Sequence, residues 1–272
     1  MNSKKLWQCP PEKDQASNVR LRCSKLNAHL SQAFRCGNII EIFGEAGTAK
    51  TQLCLDLALQ TTAHSAIGRV LYISTDRNFP TRRMQQLLEY TDLSSDHLDR
   101  IIVKTVFDGP AFFTVLESNI PDLAKTFKLD LIIIDSIVGA LRSEFEHDKR
   151  EKRVQAIHKL GTLLHAISRK LQIPIIVTNQ VTALIDQKMQ NFGREFLPCL
   201  GLGWSCYVHT RIFVGKTGKT VESDQLNVSK KLKVETSVRI VQVDFSPVLP
   251  NICTNFIVDN SGVRSITIKD ST

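Results

Sequence analysis

The chain has 272 residues, 42% of them hydrophobic and 23% charged, with a formal net charge of +8. At ~150 residues per domain that length fits one or two domains, and the composition excludes a disordered chain. The longest aliphatic runs, such as Leu131–Ile134, fall far short of the ~20 residues that cross a bilayer, so no membrane association is expected.

Residues 1–23 show no sustained hydrophobic period and contain Pro10-Pro11, which reads as an N-terminal arm ahead of a core domain over 24–272. Lys4-Lys5 runs into Leu6-Trp7-Gln8-Cys9 without the apolar stretch of a signal peptide, which sets the expectation of an intracellular protein. Seven cysteines, odd in number and irregularly spaced, argue against a disulfide framework or a zinc site. Leu26, Leu30 and Phe34 at i, i+4 and i+8 predict a short helix with Ser24 as N-cap, ended by Gly37-Asn38.

Ile39–Phe43 is a β-rich run, followed by a glycine-bearing turn and a helix from Thr51 with Leu53, Leu57 and Thr61 on one face. Cys54 in that helix reads as a small core residue. Val70–Ile73 predicts a strand, Arg82–Tyr90 a helix, residues 101–106 a strand and Phe112–Phe127 a helix. The strand Leu131–Ile134 ends in Asp135. A long helix follows, in which Val154, Ile157, Leu160, Leu164, Ile167 and Leu171 step by three or four. Pro174 opens the strand Ile175–Thr178. Such alternation implies βαβ crossovers and a mainly parallel, twisted sheet, and the continuous apolar strands imply burial on both faces. From residue 208 the pattern changes to Val208–Val214, Val238–Phe245, Ile252–Val258 and Val263–Ile268, strand-like with short turns and a hairpin signal at Asn260-Ser261-Gly262. The fold class is α/β with a C-terminal antiparallel extension.

Gly44-Glu45-Ala46-Gly47-Thr48-Ala49-Lys50-Thr51 lies between a strand and a helix. A loop there aims backbone N–H groups and a helix N-terminus at phosphate oxygens. Lys50 supplies a cation for the β- and γ-phosphates and Thr51 a hydroxyl for Mg²⁺, with Gln52 in the next position of the binding segment. The residue before the lysine is usually Gly. Here it is Ala49, at a cost of ~1–2 kcal/mol if the loop needs φ > 0 there. Asp135, at the end of a later apolar strand, reads as the carboxylate that holds Mg²⁺ through water. ATP and Mg²⁺ are the expected cofactors.

The segment Tyr72-Ile73-Ser74-Thr75-Asp76-Arg77-Asn78-Phe79-Pro80-Thr81-Arg82-Arg83 resembles the RecA-like strand-exchange ATPases, in their eukaryotic recombinase-paralogue branch. The resemblance implies a RecA-like core, with Arg83 packing on adenine. It puts Asp76 where the family has the glutamate that orients the attacking water. Asp76 is one methylene shorter, which should slow hydrolysis. Thr178-Asn179-Gln180 resembles the strand end whose glutamine senses the γ-phosphate, which gives Gln180 that role.

Two DNA-contacting loops are implied at about Arg142–Lys152, with Arg142, Lys149 and Arg150, and at about Thr182–Leu197, with Lys188 and Arg194 beside Phe192 and Phe196. Pro198-x-Leu200-Gly201-x-x-Trp204 and Asp244–Pro250 extend the likeness over residues 24–268, and Phe79-Pro80 with Arg142-x-Glu144-Phe145 narrows it to one paralogue type.

Most relatives carry a helical DNA-binding domain before the core, and only 37 residues precede the first strand here, so the expectation is that this domain is lacking. The sole Phe-x-x-Ala tetrapeptide, Phe43–Ala46, belongs to the strand and phosphate loop, which argues against docking through that motif. The resemblance thus implies a weak DNA-dependent ATPase in the nucleus. It would act in homologous-recombination repair with other paralogues, the core recombinase and single-stranded DNA. A strand-exchange ATPase in its own right and a P-loop small-molecule kinase are the alternatives.

Overall fold

The structure is a computed structural model that describes residues 17–141, 150–183, 196–227 and 230–266. After the helix α1 (Ser24–Leu30) come β1 (Ile39–Phe43), α2 (Lys50–His64), β2 (Arg69–Ser74), α3 (Thr81–Glu89), β3 (Ile101–Thr105) and β4 (Leu129–Asp135). Then follow β5 (Ile175–Asn179), β6 (Val181–Ala183), β7 (Phe196–Pro198), β8 (Thr210–Asn227), β9 (Lys230–Phe245), β10 (Cys253–Asp259) and β11 (Gly262–Ser265).

Nine strands form one sheet in the order β11-β10-β9-β8-β1-β5-β4-β2-β3. Pairing is parallel from β8 to β3 and antiparallel from β8 to β11, as the change of pattern near residue 208 requires.

Two apolar cores lie on opposite faces of the sheet. Leu131 and Ile133 join one with Ile40, Ile42 and α2, while Ile132 and Ile134 join the other with Ile39, Val177 and the helix Arg150–Leu171. Alternate residues of one strand thus feed different cores, which explains why these strands are apolar at nearly every position.

Several expectations move. Ser24 is the first helical residue rather than the cap; the N-cap is Cys23, whose side chain makes no capping bond. The arm is not a free tail from Ser17 onward, because Val19, Leu21 and Cys23 are buried in the core. The helix Phe112–Phe127 begins earlier, at Gly109, where Asp108 accepts from Ala111 N at 2.7 Å, and it passes through a π turn at Val115–Asn119 before ending at Thr126. Helix α2 is buried on all sides between Leu53 and Thr62, so its one-face reading was too narrow.

The largest difference is the β8–β9 ribbon. Pairing runs past the expected ends, from Thr220↔Ser237 to Asn227↔Lys230, beyond a register shift after Lys216↔Arg239. Among the described residues, the two strands pair only with each other over this stretch, whose sequence is mostly polar.

Candidate nucleotide site

The carboxyl ends of β1, β2, β4 and β5 meet at one edge of the sheet, where ligands of open α/β sheets bind. Between them lies a cavity of about 580 Å³ lined by Gly44–Gly47, Ala49–Gln52, Asp76, Arg77, Asp135, Ser136, Thr178, Gln180, Val181, Arg239 and Val258. The structure therefore brings together the loop, both carboxylates and the glutamine. Thr48 is fully buried and its hydroxyl donates to Glu45 O at 2.9 Å, which braces the loop from within.

Backbone conformation explains the loop's residues. A Cβ on Gly44 would lie 2.0 Å from Val214 O on β8, so only glycine fits there. Ala49 does adopt φ +87°, the left-handed conformation that glycine usually provides, and it is the N-cap of α2. The loop and the first turn of α2 line the cavity, and N–H groups at a helix N-terminus suit phosphate oxygens.

Lys50 Nζ donates to Gly44 O and Glu45 O at 2.7 and 2.8 Å, which leaves one of its three donors for a ligand. Burial holds this ammonium below the usual lysine range, partly opposed by Asp135.

Asp135 is the hub of the hydroxyl groups. Its Oδ2 accepts from Thr51 Oγ1 and Tyr72 Oη, both at 2.8 Å, and its Oδ1 accepts from Thr178 Oγ1 at 2.6 Å. Burial and then the Asp135 charge push the Tyr72 phenol well above its ordinary pKa, so it remains a donor. Because Thr51 gives its proton to Asp135, its oxygen lone pairs stay free. Hard oxygens of this kind, next to a carboxylate, suit Mg²⁺.

Asp76 is held by Ser136 Oγ at 2.5 Å, and Ser136 also accepts from Gly139 N. Gln180 is exposed and lines the cavity, and its backbone carbonyl accepts from Cys199 N at 2.9 Å. Beyond that bond β6 and β7 pair antiparallel, so both ends of the expected loop over Thr182–Leu197 are strand, and residues 184–195 lie outside the described residues. Arg83 is not among the lining residues. It donates to Gln52 Oε1 at 2.8 Å and to the Asp259 and Asn260 carbonyls at the β10–β11 turn. Of the expected DNA-contacting side chains, Arg142, Lys149, Lys188 and Arg194 lie outside the described residues, and Arg150 is the first residue of its helix.

Three features were missed in the sequence. Glu41, fully buried in the apolar run of β1, accepts from Asn179 Nδ2 at 2.6 Å and Trp204 Nε1 at 2.8 Å and pairs with Arg211. A lone carboxylate inside five otherwise apolar residues was the available signal, since such a charge needs partners. Ser136 and Gly139 carried no signal, and Lys216 and Arg239 come together only through the ribbon's register.

Comparison with known proteins agrees with the geometry. The chain is 27% identical to the DNA repair protein XRCC3 homolog of Arabidopsis thaliana over 90% of this chain and 91% of the relative. It is 26% identical to DNA repair protein XRCC3 of Bos taurus over 96% of this chain and 78% of that one. Identity to DNA repair protein rhp57 of Schizosaccharomyces pombe is 23%, over 89% and 77% of the two chains. The crystal structure of the RadB recombinase shares the fold, with a TM-score of 0.66 at 22% identity over 93% of this chain and all of that one. The Rad51 family model matches residues 13–266, from just before the buried segment Val19–Cys23 to the end of the sheet, and the chain accordingly belongs to the Rad51 family.

Proposed function

We propose that this chain is an ATP-binding recombinase paralogue that acts in homologous-recombination repair of DNA breaks, within a complex of related subunits. The observation that carries the reading is the convergence of Lys50, Thr51 and Asp135 with Asp76 and Gln180 in one cavity at the sheet's carboxyl edge. The names of the relatives, DNA repair proteins across plant, mammal and yeast, agree with it.

In this reading the loop N–H groups and Lys50 bind the polyphosphate, and Thr51 and Asp135 hold Mg²⁺, which when bound supplies charge neutralisation on the phosphates. Asp76 orients water, and Gln180 links the phosphate to the β6–β7 hairpin, whose position it shares through the bond to Cys199. The basic residues Arg142, Lys149, Arg150, Lys188 and Arg194 are the proposed contacts to single-stranded DNA, and a nuclear location follows from work on chromosomal DNA.

Hydrolysis is proposed to be slow, because Asp76 is one methylene shorter than the family's glutamate and so has a short reach to the water. The test is ATP turnover with and without single-stranded DNA, in the wild type and in Asp76→Glu. Slow wild-type turnover that rises in Asp76→Glu fits a binding and switching role. Fast, DNA-stimulated turnover that survives Lys50→Ala contradicts it.

A further inference from the structure

The β8–β9 ribbon starts beside the phosphate loop. Lys216 and Arg239 are direct partners across its two strands, so their side chains leave on the same face. That face meets the loop. Lys216 Nζ lies 3.4 Å from the place a Cβ on Gly47 would occupy, just beyond the close approach of Val214 O to Gly44. Arg239 lines the same cavity as Gly47, Lys50 and Gln52.

The hydrogen bonding of Arg239 is incomplete. Its Nη1 donates to Ser237 O at 3.0 Å, while its Nε is buried with no partner in the protein. A buried guanidinium donor without a partner is uncommon and calls for an acceptor. Burial also holds this group below the usual arginine range. Among the described residues, neither cation is matched with a carboxylate in an ion pair.

We propose that Lys216 and Arg239 are a second cationic arm of the triphosphate site, contributed by the C-terminal ribbon, and that bound nucleotide thereby fixes the base of that ribbon. The inference rests on the triphosphate reading above and adds two ligand-contacting residues to it. Two cations on one face suit a polyanion better than any neutral ligand, and an arginine fork can take two phosphate oxygens at once. The ribbon beyond them pairs only with itself among the described residues, so a ligand that clamps its base alters the presentation of residues 220–237.

The test is titration of the full chain with a fluorescent ATP analogue, comparing wild type, Lys50→Ala, Lys216→Ala, Arg239→Ala and Lys219→Ala, with hydrogen exchange of the ribbon amides read in parallel. The expected result is a loss of affinity of about 10-fold in Lys216→Ala and in Arg239→Ala, as charge-assisted bonds imply. Lys219→Ala, an exposed change on the same ribbon, should bind as the wild type does. ATP should slow exchange over residues 216–222 in the wild type but not in Arg239→Ala. If Lys50→Ala loses binding while Lys216→Ala and Arg239→Ala keep it, the second arm is refuted and the triphosphate site stands. If the wild type binds no nucleotide, both fail. Should Arg239→Ala not fold, Lys216→Ala carries the same comparison from an exposed position.

Discussion

Gly139 leaves room for Asp76: a Cβ at residue 139 would lie 2.4 Å from Asp76 Oδ1 and 2.6 Å from Thr75 Oγ1. The carboxylate expected to orient water is therefore set by a glycine more than sixty residues away, on the short helix Ile137–Ala140 that follows β4. Gly139→Ala should push Asp76 off Ser136 and lower ATP turnover about 10-fold or more, the scale of a misplaced general base. Nucleotide affinity should stay close to wild type, because the phosphate loop is untouched. Turnover and binding measured on the same preparation check the split; an equal loss in both would mean a general collapse of the site.

Ala49 carries the left-handed strain of the phosphate loop. Ala49→Gly should raise stability by about 1 kcal/mol, less the added flexibility of the unfolded chain, which for a domain of this size is roughly 2–4 °C in Tm. It should also tighten nucleotide binding, since the loop no longer resists its bound shape. Thermal melts with and without ATP give both numbers, and an unchanged or lower Tm would show that the strain is relieved elsewhere.

The loop and Asp135 were legible at strand ends, where apolar runs stop abruptly, and Asp76 and Gln180 through the family resemblance; the structure brings all of them to one cavity. The mainly parallel sheet was legible in the alternation of strands with helical stretches. What escaped notice was set by pairing between distant segments. Lys216 and Arg239 meet only in the ribbon register, and a polar two-stranded arm has no apolar alternation to reveal it. The role of Gly139 depends on a close approach to Asp76 that no local pattern encodes. The segment Ser17–Cys23 read as an arm because its three buried apolar residues are too few to show a period.

Glu41 and Arg211 form a buried pair, with Arg211 also stacked near Phe43 and Phe245. Removing the cation with Arg211→Ala leaves the carboxylate buried and unpaired, at a cost of about 3–5 kcal/mol. The double variant Glu41→Gln with Arg211→Met should recover much of that loss. Denaturant unfolding of the set decides it, and a mild effect of Arg211→Ala would place the stability of this region outside the pair.

Asp56 is buried in α2, accepts from Arg22 N at 2.9 Å, and is pushed up to about 6 by desolvation, against an ordinary value of 3.8. With the folded value raised, its contribution is full below pH 3.8 and is lost as pH rises through about 6. Asp56→Asn keeps the acceptor without the charge. It should exceed the wild type in stability at pH 7.5 by up to about 3 kcal/mol, with the gap closing toward pH 4. Melting curves from pH 4 to 8 test this, and a gap independent of pH would assign the shift to another group.

The turn at Lys50 is proposed to bind a triphosphate whose presence reaches Gln180. Calorimetric titration of the folded chain and its native assembly with ATP and Mg²⁺, beside Lys50→Ala, addresses it directly. Saturable binding in the wild type, lost or at least about 10-fold weaker in Lys50→Ala, is the result expected from removing a charge-assisted phosphate contact. No heat of binding in either preparation, or equal affinity with and without the lysine, would contradict it.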